Sequence, residues 1–449
     1  MILKFRYLLI VLVLAFLAGA CQNEQEKKNT YTQYVNPYIG SGGHGHVFVG
    51  ANTPFGAIQA GPANFFKGWD WCSGYHYSDS IIKGFSHLHL SGTGCSDLGD
   101  ILLMPANGTL KITAGSQKNH KSGYASLYSH QQEEVAPGYY KVHLKRYNID
   151  NEITTTDRVA LHKITYPKSS QSRLIIDLGE GNGDTPTETF FQQINDTTFT
   201  GYRFSKGWVA KQMEFIAVVL SKPIKELLIY NDTKKLVGKQ GKGIRIKAFL
   251  NFTTSDKEQV LVKLGISPVS MENALMNIKK EIPNWDFDRV LAENQQKWNK
   301  ELAKVELKTN DKTAEKIFYT ALYHTMIAPN IFNDVNGDYR GVDKKVYHQK
   351  AVNYTLFSLW DTYRTAHPLY TILQPERVPD MINSMLQIYQ QQGKLPVWHL
   401  RGNETNTMVG YSAVPVVVDA CLKGFNIDNN LAYEAVKTTA MGNFEPGVK

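Results

Sequence analysis

The sequence predicts a β + α multidomain protein: an N-terminal antiparallel β-sandwich, a helical linker, and the first part of an all-α domain. Three observations predict it. Apolar residues recur with period two between Gly138 and Ser270, as strands do when they bury one face. Polar turn clusters such as Gly179-Glu-Gly-Asn-Gly-Asp184 separate those runs, which indicates a sandwich. Near Pro283 the period changes to that of a single helical stripe. With 449 residues, 42% of them hydrophobic, the chain can fill two or three cores of this kind.

Residues 1–20 are expected to be a lipoprotein signal peptide. Lys4 and Arg6 precede an apolar run, Tyr7 to Leu17, that is too short for an ordinary transmembrane helix. Leu17-Ala-Gly-Ala-Cys21 resembles a bacterial lipobox, with Ala18 where leucine is usual, so Cys21 is the expected lipidation site. Residues 21–33 are polar and charged, as a flexible tether would be. Its acidic start, Gln22-Asn-Glu-Gln-Glu26, resembles the surface-export signals of Bacteroidetes lipoproteins. The expectation is a lipid anchor at the bacterial outer membrane, on the cell surface or the periplasmic side. Of the 4 cysteines, Cys72, Cys95 and Cys421 then remain, an odd number. A Cys72–Cys95 bridge and two free thiols are both open.

The sandwich is assigned to residues 34–282. Its first stretch, Val35 to Pro105, is rich in glycine and loops, including Gly40-Ser-Gly-Gly-His-Gly-His46 and Lys67-Gly-Trp-Asp-Trp-Cys-Ser-Gly-Tyr75. The first of these lacks the Gly-Lys-Ser/Thr ending of a phosphate loop. His44-Gly-His46 and His87-Leu-His89 lack the partners and spacing of a zinc site. Strand stripes follow: Met213, Phe215, Ala217 and Val219; Ile244, Ile246, Ala248 and Leu250; Val260, Val262, Leu264 and Ile266. The linker is assigned to 283–310, on the stripe Phe287, Leu291, Trp298, Leu302 and Val305. Residues 311–449 carry helical patterns: Ala314, Ile317, Phe318, Ala321, Leu322 and Met326; Met381, Ile382, Met385 and Leu386; and Val414 to Leu422.

A net charge of +8, spread without a basic stripe, argues against a nucleic-acid partner. Aromatic residues at 11% suit a carbohydrate-handling surface, although strands also use Tyr and Phe heavily. Two tracts carry the candidate site: Phe357-Ser-Leu-Trp-Asp-Thr-Tyr-Arg364 and Leu395-Pro-Val-Trp-His-Leu-Arg-Gly-Asn-Glu-Thr405. Each sets a tryptophan beside a carboxylate and an arginine. Charged groups hydrogen-bond sugar hydroxyls, and an indole face packs on a pyranose. A buried ion pair with core tryptophans is the competing reading of either tract.

With these residues laid out, the chain resembles the bacterial exo-acting α-mannosidases of glycoside hydrolase family 92, lipoproteins of the Bacteroidetes type. The likeness rests on Tyr34-Val-Asn-Pro-Tyr-Ile-Gly40, Gly68-Trp-Asp-Trp-Cys-Ser-Gly-Tyr75, Gly84-Phe-Ser-His-Leu-His-Leu-Ser-Gly92, Trp360-Asp-Thr-Tyr-Arg364, Gln374-Pro-Glu-Arg377 and Gly402-Asn-Glu-Thr405. The resemblance implies a β-sandwich followed by an (α/α)6 barrel, calcium, inversion at the anomeric carbon, and mannose-containing glycans or glycoproteins as substrates. An α-1,2 linkage is the expected preference.

The resemblance also implies substrate contacts from Asp361, Arg401, Glu404, Trp71 and Asp70, with Arg364 behind them. Ser412 stands where many relatives place a histidine. The family's acid lies in a Glu-Gly-Asn-x-Trp-Gln-Tyr tract and its base in an Asn-(Asp/Glu)-Asp-x-Gly-Gln-Met-Ser tract. Neither occurs here, so no acid or base and no calcium ligand is assigned. The barrel is therefore expected to be incomplete and the chain inactive alone, with the stripe at Met381 to Leu386 and the run Val414 to Val418 short of partners. Two other readings are a non-catalytic glycan-binding surface lipoprotein and a related enzyme acting on another α-linked sugar.

Overall fold

The computed structural model describes residues 30–444. Two antiparallel sheets form the N-terminal half. The larger has nine strands, in the order Gln240–Gly243, Thr185–Gln193, Thr198–Lys206, Gln212–Leu220, Glu258–Ser267, Val159–Tyr166, Ile149–Thr155, Tyr139–Leu144 and Glu133–Ala136. The smaller has seven: Gly61–Ala63, Gly84–Ser86, Leu102–Ala106, Ser169–Asp177, Ile246–Thr254, Glu226–Asn231 and Lys234–Leu236. Leu174, Ile176, Ala248 and Leu250 from one sheet share a core with Ile164, Ile216, Val262 and Leu264 from the other. Each fully buried aliphatic side chain of this kind contributes roughly 1.5–3 kcal/mol. Ile244 lies outside its expected strand, which begins at Ile246, and is exposed.

One stripe is assigned to the wrong face by the sequence pattern. In Gln212–Leu220 the core takes Ile216, Val218 and Leu220, and Gln212 and Glu214 sit in phase with them, fully buried. The expected stripe of Met213, Phe215, Ala217 and Val219 points the other way. There Ala217 and Val219 meet helix α1 (Met271–Glu281) through Ala274 and Ile278. A strand covered on both sides shows no clean alternation, so period two cannot tell its inner face from its outer one.

Helix α1 also moves a boundary, because it starts inside the range assigned to the sandwich. Ser270 caps it by accepting a hydrogen bond from the Asn273 amide. Helix α2 (Phe287–Leu302) follows, capped by Asp286, and buries Phe287, Trp298 and Leu302 as expected. The Trp298 indole donates to the Asn52 carbonyl at 2.8 Å, which ties the linker to the sandwich. Helix α3 (Lys312–His324) buries Tyr319, Leu322 and Tyr323, while Ile317 of the expected stripe is exposed.

The helical half continues with α4 (Leu359–Thr362), α5 (Ala366–Leu373), α6 (Val378–Gln392), α7 (Ala413–Leu422) and α8 (Asn429–Met441). Helix α6 ends at Gly393, whose φ of +83° forms a left-handed cap and whose amide donates to the Tyr389 carbonyl. Met381, Ile382, Met385 and Leu386 are all buried, against the expectation that they would lack partners. Helices α7 and α8 and the strand Tyr354–Thr355 pack on α6 and cover them. Val416 and Val417 are buried too. Val414 and Val418 are half-buried, and exposed apolar side chains of this half include Ile372, Val409, Leu422, Tyr433 and Met441. Cys72, Cys95 and Cys421 are free thiols, so of the two open alternatives the bridge is not formed. Cys21 and its lipobox lie outside the described residues.

Candidate active site

The two motif tracts meet as a short ribbon. Phe357–Ser358 pairs antiparallel with Trp398–His399, in the register Phe357 to His399 and Ser358 to Trp398. A second link fixes the pair: the Arg401 amide donates to Thr355 Oγ1 at 2.7 Å, and that oxygen lies 3.0 Å from His399 Nδ1. Beside the ribbon lies a cavity of about 240 Å³ between the halves of the molecule. The sandwich contributes Ser91 and Thr93; the helical half contributes His324, Ser358, Asp361 and His367. That volume is below the roughly 300–1,000 Å³ of pockets for drug-sized ligands. It suits one small polar ring.

Asp361 stands on α4 at the cavity wall. Its Oδ2 accepts from Ser358 Oγ at 2.5 Å, and no cationic side chain among the described residues pairs with it. The buried ion pair with Arg364 therefore does not form. Arg364 turns away, with its guanidinium 5.5 Å from the Trp360 ring centre and its Nε donating to the Tyr363 hydroxyl at 2.9 Å. It does not line the cavity. A carboxylate held by one hydroxyl and open to a cavity keeps lone pairs for a ligand.

The second tract follows the competing reading. Glu404 spends its carboxylate on the amides of Val397, Trp398 and Asn406, at 2.8–2.9 Å, and so clamps its own loop. Arg401, at φ +45°, reaches into the sandwich. Its Nη2 donates to Glu214 Oε2 at 2.5 Å, with both side chains almost fully buried. Trp398 is buried against Trp208, whose indole donates to Thr407 Oγ1 at 2.8 Å. Burial pushes the Glu214 carboxyl up to about 7, against the opposing pull of Arg401. Neither Arg401 nor Glu404 lines the cavity.

In the sandwich loop, two tryptophans differ in their surroundings. Trp71 donates through Nε1 to Asp79 Oδ2 at 3.1 Å, stacks on His76 at 4.4 Å and carries Lys67 over its ring. Those contacts fix it as a packing residue. Trp69 is 56% exposed, and its Nε1 donates to the carbonyl of Gly94, next to the cavity-lining Thr93. Asp70 accepts from His44 at 2.6 Å, and this hydrogen bond holds its carboxyl below the usual carboxylate range.

Sequence reasoning passed over Glu214, His324, His367 and Trp69. Glu214 had a signal, an acid in phase with Ile216, Val218 and Leu220. The two histidines had none, since a lone imidazole on a helix is most often packing. Among the described residues no group of three or more His, Cys, Asp or Glu converges as a cation site. Calcium takes six to eight oxygen ligands, commonly including carboxylates. No calcium ligand is assigned among the described residues.

The β-sandwich joined to a helical domain, with a small cavity at the junction, is a fold shared with solved glycoside hydrolases. The Glycosyl hydrolase family 92 N-terminal domain matches residues 34–267, and the Glycosyl hydrolase family 92 catalytic domain matches residues 273–448. The chain belongs to glycosyl hydrolase family 92. It is similar to the solved GH92 alpha-mannosidase BT3965 from Bacteroides thetaiotaomicron: 38% identical, TM-score 0.91, covering 93% of this chain and 58% of that one. The inverting mannosidase BT2199 of the same organism is 26% identical with TM-score 0.80, over 90% of this chain and 54% of that one. An uncharacterized secreted glycosidase of Arthroderma benhamiae is 27% identical over 90% of this chain and 51% of its own. The chain thus spans about half to three fifths of the length of these relatives. Since the catalytic-domain match runs through residue 448, the expected inactivity gains no support.

Proposed function

We infer that the protein is an exo-acting α-mannosidase that removes terminal mannose from glycans or glycoproteins, with inversion and with calcium. One observation carries the reading: Asp361, a carboxylate with no cationic partner among the described residues, faces a small cavity of mixed polar and apolar lining, walled by both halves of the molecule. A small cavity for one ring suits an enzyme that takes the end of a chain. Two relatives support the sugar and the stereochemistry: BT3965 is an alpha-mannosidase also solved with mannoimidazole, and BT2199 is an inverting mannosidase. An inverting hydrolase places an acid and a base on opposite sides of the bond, with water between. Asp361 is assigned to hydroxyl binding, and no residue here is assigned as acid or base.

The secreted relative and the lipobox support an extracellular location with a lipid anchor at Cys21. Cys21→Ala should shift the protein from the membrane fraction to the soluble fraction.

The test of activity is incubation with a terminal α-1,2-mannoside, with and without a calcium chelator, following the released sugar by proton NMR. Release of β-mannose first, abolished by chelation, is the expected result. Release of α-mannose first would remove inversion, and glucose release would remove the mannose assignment. A protein that binds mannosides without turnover would be a glycan-binding lipoprotein instead.

A further inference from the structure

Two imidazoles at the cavity have no protein partner. His367, on the first turn of α5, is 6% exposed, lines the cavity and has no hydrogen-bond partner among the described residues. Its ring is edge-on to Tyr370 at 5.5 Å and tilted to Phe357 at 6.3 Å, and it borders a small gap with Met381, Ile382 and Val416 on its other side. His324, at the end of α3, lines the same cavity, and its Nε2 is buried without a partner. Buried polar side-chain groups are normally satisfied, and an unsatisfied one calls for an explanation. Three other buried histidines are satisfied: His87 contacts the Ile101 carbonyl, His89 the Ser73 carbonyl and His399 the Thr355 hydroxyl. His46, in the sandwich loop beside Asp70, also keeps a buried Nε2 without a partner. His324 and His367 stand at the same cavity as Asp361.

We propose that His367 is a specificity-determining residue of this cavity, hydrogen-bonding one hydroxyl of a terminal pyranose while the Asp361 carboxylate accepts from a neighbouring hydroxyl. The inference rests on the glycoside reading of the site. Its chemistry is matched on both sides. A neutral imidazole offers one donor and one acceptor, as a hydroxyl does, whereas a carboxylate only accepts. Burial pushes the His367 and His324 imidazoles down to about 4, so both are neutral under ordinary conditions. The ligand class is a pyranose with adjacent free hydroxyls, which a site built to hydrogen-bond them separates sharply from analogues lacking one.

The experiment is a binding and kinetic comparison of the protein with its His367→Phe and His367→Asn variants. Methyl α-mannoside, its four monodeoxy analogues, and the corresponding glucoside and galactoside are the probes. Imidazole NMR of the unmodified protein is followed in parallel, with the His367 signal assigned by its loss in a variant. The expected result has three parts: the His367 signal moves on binding, one deoxy analogue binds at least tenfold more weakly than the parent, and His367→Phe no longer distinguishes the two. His367→Asn, which keeps a donor and an acceptor, should restore part of that discrimination; a packing role alone would not produce this selective rescue. Should His367→Phe not fold, the NMR shift and the asparagine variant decide. Full discrimination retained in a folded variant, a pyranoside bound without moving the His367 signal, or no pyranoside bound at all overturns the proposal. Glucoside or galactoside binding through His367, with no mannoside binding, would uphold it while refuting the mannosidase reading. Mannoside turnover indifferent to His367 would do the reverse.

Discussion

Glu214 of the sandwich and Arg401 of the helical half form an ion pair across the junction, Oε2 to Nη2 at 2.5 Å, with 0% and 2% of their side chains exposed. The pair joins a core-facing strand position to the loop that carries half of the sequence motif. It behaves as a latch between the two halves, because either residue without the other would be a buried charge.

Glu214→Ala should therefore destabilise the protein by about 3–5 kcal/mol, the usual cost of leaving one member of a buried pair alone. Urea unfolding measures it. A Glu214→Leu, Arg401→Met double variant should recover much of that loss, since apolar replacements relieve both charges. Equal losses in the single and double variants would show that the latch is not what these residues do.

The same pair sets a pH dependence. The Glu214 carboxyl is raised from 4.5 to about 7 in the folded protein, and Asp97, buried near Asp184, from 3.8 to about 6. Between the two values of each group the folded state holds a proton that the unfolded state has released, so stability falls as pH rises through that window. The stability of the unmodified protein minus that of Glu214→Gln should decline from about pH 4.5 to about pH 7 and then level off. Urea midpoints across this range check it; a difference that rose with pH would mean that Arg401 dominates over burial.

Asp361→Ala should lower α-mannosidase activity at least tenfold while changing stability by less than about 1 kcal/mol. The carboxylate is exposed and its one side-chain partner is Ser358, so little of the fold depends on it. Hydrogen bonds to hydroxyls that tighten in the transition state act on turnover instead. Kinetics and thermal unfolding of the same preparation separate the two effects.

The two loop tryptophans should part company under substitution. Trp71→Ala removes the partner of Asp79 and His76 and should cost about 2 kcal/mol, below the range for a fully buried tryptophan. Trp69→Ala should cost under about 1 kcal/mol, as exposed positions do, yet weaken binding of mannosides that extend beyond one ring. Unfolding curves and titration with a mannobiose test the pair. Matching stability losses would return Trp69 to a packing role.

Much of this architecture was legible in the chain. The strands at Val260 to Ile266, the stripe of α2 and the order of sandwich before helices follow from periodicity, because one-sided burial writes its spacing into the sequence. Asp361 was singled out from its motif, and it stands at the cavity wall. The misses share a cause. The strand from Gln212 to Leu220 and helix α1 cover each other, and a doubly covered strand hides its inner face. Met381 to Leu386 find cover from α7, α8 and the strand at Tyr354, which a count of helices did not anticipate.

By itself the sequence determined which residue types could do chemistry here, and the two tracts in which a carboxylate, an arginine and a tryptophan stand together. The tertiary structure alone decided how they are used. It turned Arg401 toward Glu214 and folded Glu404 onto its own amides, while Asp361 was left facing a cavity with His324 and His367. The physical reason is that a charged side chain takes the nearest partner that relieves its burial. Glu404 finds its partners within its own loop, whereas Arg401 finds Glu214 on a distant strand, which only the packing of one domain on the other brings within reach.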